Sequence, residues 1–97
     1  MTTHATVLAI HGQLQKGDFP EFAGLYASRL NLSGRFSFVA ENQIEIVLSG
    51  PPELIDMFEV ACWLGPKETI VDRIDVRPSV PLNTPMNGFR ISPVQHQ

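Results

Sequence analysis

The segment Ala5-Thr6-Val7-Leu8-Ala9-Ile10-His11 constrains the fold more than any other part of the chain. Read as a strand, it puts Val7 and Ala9 on one face and Leu8 and Ile10 on the other. A strand that is apolar on both faces belongs in the middle of a sheet, where both sides are covered. That requirement argues against a helical bundle and asks the rest of the chain for neighbouring strands. The 97 residues are enough for one domain around one core.

The remaining periodicities supply those neighbours, alternating with helices. A loop from Gly12 to Asp18 follows the first strand. Pro20 then opens a helix at a first-turn position where proline is tolerated, with Asp18 as the expected N-cap. Ala23, Tyr26, Ala27 and Leu30 fall at i, i+3, i+4 and i+7, which predicts the core-facing stripe, and Asn31 with Ser33-Gly34 ends the helix. Arg35 to Glu41 alternates, with Phe36, Phe38 and Ala40 on one side; Ile44, Ile46 and Leu48 line a partner strand. Asn42-Gln43 is the expected tight turn of that hairpin. Gly50-Pro51-Pro52 breaks the strand, Glu53 to Leu64 reads as a second helix stopped by Gly65-Pro66, and Ile70 to Val76 as a fourth strand. Four prolines interrupt the stretch from Arg77 to Pro93, leaving one short extra edge strand, Gly88 to Ser92. The order βαββαβ predicts an α+β, ferredoxin-like two-layer sandwich, an antiparallel sheet with two helices on one face. One domain, 1–97, is expected, with its core at about residues 5–91 and flexible termini.

Particular residues go further than the pattern. Phe19-Pro20, Ala27, Leu30, Leu32, Gly34, Ile44, Ile46, Leu48, Gly50, Ile55, Phe58 and Gly65-Pro66 keep one ungapped spacing, extended by Val71, Ile74, Phe89 and Ile91. On these positions the chain resembles the acylphosphatase family over about 80 residues, His11 to Ile91. The resemblance implies the same sandwich. It also implies a phosphate loop, here Gly12, Gln15, Lys16, Gly17, Asp18 and Phe19, with one arginine to hold the phosphate and one asparagine to orient the attacking water. Pro20 stands at the arginine position and Phe38 at the asparagine position.

Those two exchanges remove the chemistry. Acyl-phosphate hydrolysis needs preorganised charge around a phosphoryl group, which a guanidinium supplies with bidentate geometry. Proline offers neither a side-chain donor nor a backbone N–H, and phenylalanine cannot hold a water by a hydrogen bond. Asp18 adds a negative charge where an anion would sit, and Lys16 offers only a point charge in return. The expectation is a non-catalytic acylphosphatase-like domain that serves as a binding or interaction module, its loop not binding an anion. The competing expectation is an enzyme, with weak or altered acylphosphatase-type hydrolase activity in the same cleft.

Other chemistry is absent from the sequence. His4, His11 and His96 are scattered, so no metal site and no cofactor are expected, and His11 reads as a surface or hydrogen-bonded side chain. Cys62, the single cysteine, lies on the stripe with Ile55 and Phe58 and reads as a buried inert thiol in a reducing, cytoplasmic protein. A net charge of −3 argues against nucleic acid, no apolar run is long enough for a membrane span, and no basic n-region followed by an apolar stretch suggests a secretory signal. Asp72, Arg73, Asp75 and Arg77 alternate in sign along a strand and predict a solvated face or cross-strand pairs.

What remains is apolar excess on the helices. Phe22, Leu25 and Arg29 on the first, with Trp63 on the second, are the candidates for a surface that meets a protein partner or a second copy. Leu54, Met57, Ala61 and Leu64 are expected to serve the contact between the helices, and Val80, Leu82 and Met86 to cover part of the surface.

Overall fold

In the computed structural model, residues 3–14 and 18–82 are described. The elements are β1 (Thr3–Gln13), α1 (Phe19–Arg29), β2 (Ser33–Val39), β3 (Gln43–Ser49), α2 (Pro52–Leu64) and β4 (Ile70–Leu82). The sheet order is β2-β3-β1-β4, with every neighbouring pair antiparallel. This is the expected βαββαβ sandwich. The expected closing strand, Gly88–Ser92, and Met86 lie outside the described residues, as do the side chains of Val80 and Leu82, expected to share its cover.

β1 sits inside the sheet, and its two faces do different work. Leu8 and Ile10 are fully buried and pack with Leu14, Phe19, Ala23, Ala27, Phe36, Ile44, Ile46, Leu48, Phe58 and Cys62 in the main core. Val7 joins Ala5 and Val47 in a second small cluster. Cross-strand partners share a face of the sheet, and the register sets Val7 opposite Val47 and Leu8 opposite Ile46. The small cluster therefore lies on the face turned away from the helices.

α1 meets the sheet through Phe19, Ala23, Gly24 and Ala27, all buried. Tyr26 departs from the expected stripe: it is 37 % exposed and meets Phe22 with ring centroids 5.4 Å apart and ring planes tilted by 50°. With alanines against the sheet, the helix packs close, and the bulkier ring stays at the rim. The helix stops as expected at Asn31, which adopts φ 58°. Asn31 N–H donates to the Ser28 carbonyl (3.0 Å) and Leu32 N–H to the Ala27 carbonyl (2.9 Å), the two reversed bonds of a Schellman motif. In α2, Ile55, Phe58, Ala61 and Cys62 face inward.

β1 (Thr3–Gln13) and β2 (Ser33–Val39) begin two residues earlier than the sequence pattern suggests, and two further differences shape the sheet. β4 continues past Val76 through Pro78 and Pro81 to Leu82. It is an edge strand of the described sheet, so a proline there costs no ladder bond on its open side. The register with β1 also slips by one residue between Ala5–Val80 and Val7–Arg77, and the bulge takes up Pro78 and Ser79. The hairpin turn comes one residue early as well, spanning residues 40–42, with Ala40 N–H donating to the Gln43 carbonyl at 2.8 Å. Of the β4 charges, Arg73 pairs with Asp75 along the strand at 3.1 Å, and Arg77 reaches Glu45 of β3 at 3.2 Å.

Candidate functional site

The loop that follows β1 is brought against the β2–β3 hairpin by backbone bonds. Gly12 N–H donates to the Asn42 carbonyl (3.1 Å) and Leu14 N–H to the Glu41 carbonyl (3.0 Å). Gly12 is required here because a Cβ would overlap the Ile70 carbonyl oxygen, where a second slip in the β1–β4 register brings the backbones together. Phe19, fully buried, anchors the start of α1 beneath the same end of the sheet. A cleft of about 380 Å³ results, lined by Leu14, Asp18, Pro20, Val39, Ala40, Glu41 and Ile44.

Its chemistry follows from that lining. Leu14, Pro20, Val39 and Ile44 make the walls apolar, and both charged side chains, Asp18 and Glu41, are carboxylates. No cationic side chain lines it among the described residues. Pro20 stands in the first turn of α1, so the helix end presents one N–H fewer than other residues would give it. Asp18 occupies the N-cap position as expected, yet its side chain makes no capping bond, because the residue is left-handed (φ 51°, ψ 47°) rather than extended. Its backbone carbonyl accepts from Phe22 N–H at 3.1 Å. An aspartate and a glutamate on apolar walls disfavour an anion and suit an uncharged or cationic group.

Phe38 does not line this cleft. The register runs Phe36–Ile46, Phe38–Glu45, Val39–Ile44, so Ser37 and Phe38 together oppose one residue of β3. Such a bulge re-aims the side chains beyond it. Phe36 stays buried, while Phe38 is 49 % exposed beside Glu45, on the face away from the helices, and Val39 takes the place in the cleft. The expected alternation of Phe36, Phe38 and Ala40 on one side is thus broken at Ser37, whose hydroxyl donates to Glu45 Oε1 at 2.7 Å. Of the remaining loop candidates, Gly12 and Phe19 are buried and do not line the cleft, whereas Gln15, Lys16 and Gly17 lie outside the described residues.

The helix candidates separate. Leu25 (51 %) and Trp63 (45 %) are exposed, Arg29 is exposed, and Phe22 is half-buried against Phe19 and Tyr26. Ala61 is buried and Leu54 half-buried, but Met57 (55 %) and Leu64 (79 %) face solvent with Val60 (61 %). At about 100° per residue, Met57 and Leu64 are rotated outward from the line of Leu54 and Ala61, so only the latter pair turns inward. Val60 was missed in the sequence because no apolar stripe demanded it.

The remaining polar groups have structural roles. His11 Nε2 lies 3.3 Å from Asp75 Oδ2 on the helix-free face. Burial, with a smaller contribution from Glu59, pushes the Cys62 thiol well above the usual thiol range. No group of three metal-ligating side chains occurs among the described residues, and none of the described helices is long and apolar enough to cross a membrane.

The Acylphosphatase family model matches residues 6–91. An acylphosphatase of Azorhizobium caulinodans is 33 % identical over 92 residues, covering 93 % of this chain and 96 % of that one. Among solved structures, acylphosphatase from Bacillus subtilis superimposes with a TM-score of 0.79 at 23 % identity, covering 90 % of this chain and 96 % of that one. An acylphosphatase from Coxiella burnetii gives 0.76 at 21 % identity, covering 90 % and 92 %. These two establish likeness of fold.

Proposed function

The chain belongs to the acylphosphatase family, and from that premise we propose that it is a non-catalytic member which acts by binding. The lining of the loop cleft carries this reading: Pro20 and Val39 among apolar walls, with Asp18 and Glu41 as the charged groups. Hydrolysis of an acyl phosphate requires a cationic partner for the phosphoryl oxygens and a polar group for the water. Pro20 cannot be the first, nor Val39 the second. Loss of one such group costs ~10² to 10⁵ in rate.

The work of the domain is then contact with a protein partner or a second copy through exposed apolar side chains such as Leu25, Met57, Val60 and Trp63. The net charge of −3 supports a partner other than nucleic acid. The lone buried cysteine supports a reducing, cytoplasmic setting.

The similarity to the Azorhizobium acylphosphatase favours the other reading, a weak hydrolase. Purified protein incubated with benzoyl phosphate separates the two. Hydrolysis indistinguishable from the spontaneous rate is expected; turnover of ~1 s⁻¹ or more, within the common enzyme range, overturns the proposal.

A further inference from the structure

A second cavity, of about 330 Å³, lies at the other end of β1 from the loop cleft, between α2 and the edge strand β4. Its floor is formed in part by Leu48 and Ile55, both buried, with Thr6 and Val76. Val76 remains 41 % exposed although β4 pairs it with Leu8, a core residue, so α2 leaves this part of the helix-side face uncovered. The volume is at the small end of the range for ligand pockets and suits one or two side chains rather than a whole helix.

The rim holds two carboxylates and one imidazole, that of His4. Asp56 and Glu59 line the groove, and Glu53 precedes them at the same spacing of three along α2. The helix Pro52–Leu64 contains no lysine, arginine or histidine. Among the described residues none of the three carboxylates forms an ion pair; the salt bridges there use Asp75 and Glu45 instead. Like charges three or four apart on a helix repel one another by a few tenths of a kcal/mol per pair, and no ion pair among the described residues offsets that repulsion. Beyond the acids the surface turns apolar again, with Val60 (61 % exposed) and Trp63 (45 %) on the outer side of α2. An apolar floor, a row of carboxylates with no ion pair among the described residues and a second apolar strip therefore succeed one another.

We infer that this groove docks a basic, amphipathic segment of a partner protein. A lysine or arginine of that segment sits against Asp56 and Glu59, with an apolar neighbour on Leu48, Ile55 and Val76. Charge complementarity selects the occupant: a second copy of this chain would have to supply cations from a surface of net charge −3, whereas a basic segment satisfies both carboxylates and covers the floor. The prolines at 78 and 81 on β4 withhold N–H groups from an added strand, so recognition is by side chains rather than by strand addition. The inference gives a location and a chemistry to the binding role proposed above, but it does not depend on whether the loop cleft hydrolyses anything.

The test is an amide chemical-shift titration of the full chain with an alternating lysine–leucine hexapeptide. Its glutamate–leucine counterpart, hexalysine and spermine are the comparison ligands. Saturable shifts are expected at Thr6, Leu48, Ile55, Glu59 and Val76 with a Kd below ~1 mM. Gly12 and Glu41 should stay still, and Asp56→Asn with Glu59→Gln should weaken binding about tenfold or more. Both positions tolerate the change because neither makes a structural bond among the described residues. Unchanged affinity in that variant, shifts centred elsewhere, or equal binding of the acidic peptide, hexalysine or spermine overturns the inference. Acyl-phosphate turnover would instead refute the non-catalytic reading and leave this groove untouched.

Discussion

Asparagine placed at position 38 or at position 39 distinguishes which β2 side chain faces the loop cleft. The background for both is Asp18→Gly with Pro20→Arg, which supplies a guanidinium and removes one carboxylate. The stability costs can be worked from the structure. Asp18 is left-handed at φ 51°, and glycine there relieves about 1 kcal/mol. Pro20→Arg returns about 0.4–1 kcal/mol by loosening the unfolded chain. Val39 is 37 % exposed, so Val39→Asn forfeits about 1–2 kcal/mol of the ~1.5–3 that full burial of valine is worth. The net loss is about 0.4–2 kcal/mol, small beside a typical domain stability of ~5–15 kcal/mol, and a thermal melt confirms that both variants fold. Benzoyl phosphate hydrolysis is the assay. A well-placed transition-state hydrogen bond is worth ~10²–10³ in rate, so the variant with Val39→Asn should exceed its background by roughly tenfold or more. Phe38→Asn, on the opposite face, cannot reach the water and should stay within about twofold. The reverse order would refute the register of β2 and the bulge at Ser37.

Three further outcomes follow from the fold. Asn31→Gly should stabilise the domain by about 0.5–1 kcal/mol in chemical denaturation, because glycine takes the left-handed C-terminal position of α1 without a Cβ penalty, whereas Asn31→Val should destabilise it by about 1–2 kcal/mol. Cys62, whose folded thiol is held in its neutral form, contributes stability that is fully present below the unfolded thiol's ~8.5 and is lost as pH rises above it. Denaturation midpoints should therefore fall above about pH 8.5 in the native chain and fall less in Cys62→Ala. Thiol reagents at neutral pH should label Cys62 only as fast as the domain unfolds, and prompt labelling would contradict its burial.

Much of this could be read from the chain because it rests on local periodicity. The two apolar faces of Ala5–His11, the alanines of α1 and the Ile55–Phe58–Cys62 stripe each declare their burial within a few residues, and the structure places them accordingly. What escaped depends on pairing between distant segments. Pro78 and Pro81 look like strand breakers until β4 is seen at an edge with a bulge opposite Thr6. The Ser37 bulge is hidden because Phe36-Ser37-Phe38 alternates faultlessly in sequence, and only the ladder to β3 shows that two residues share one partner. Val39 and Glu41 enter the cleft through that slip, so the loss of a polar wall was legible while the residue forming the wall was not. The groove beside α2 likewise depends on how far α2 leaves Val76 uncovered, which no single segment encodes.

A cleft that has given up phosphoryl chemistry should have given up its affinity for anions. Titrating the native chain with inorganic phosphate, while following the amides of Leu14, Asp18, Phe19 and Glu41, measures this without any assumption about substrate. The cleft lined by Asp18, Pro20, Val39 and Glu41 should show only small, linear, non-saturating shifts up to ~10 mM phosphate. Saturable shifts at those amides with a Kd below about 1 mM, roughly −4 kcal/mol of binding, would contradict it.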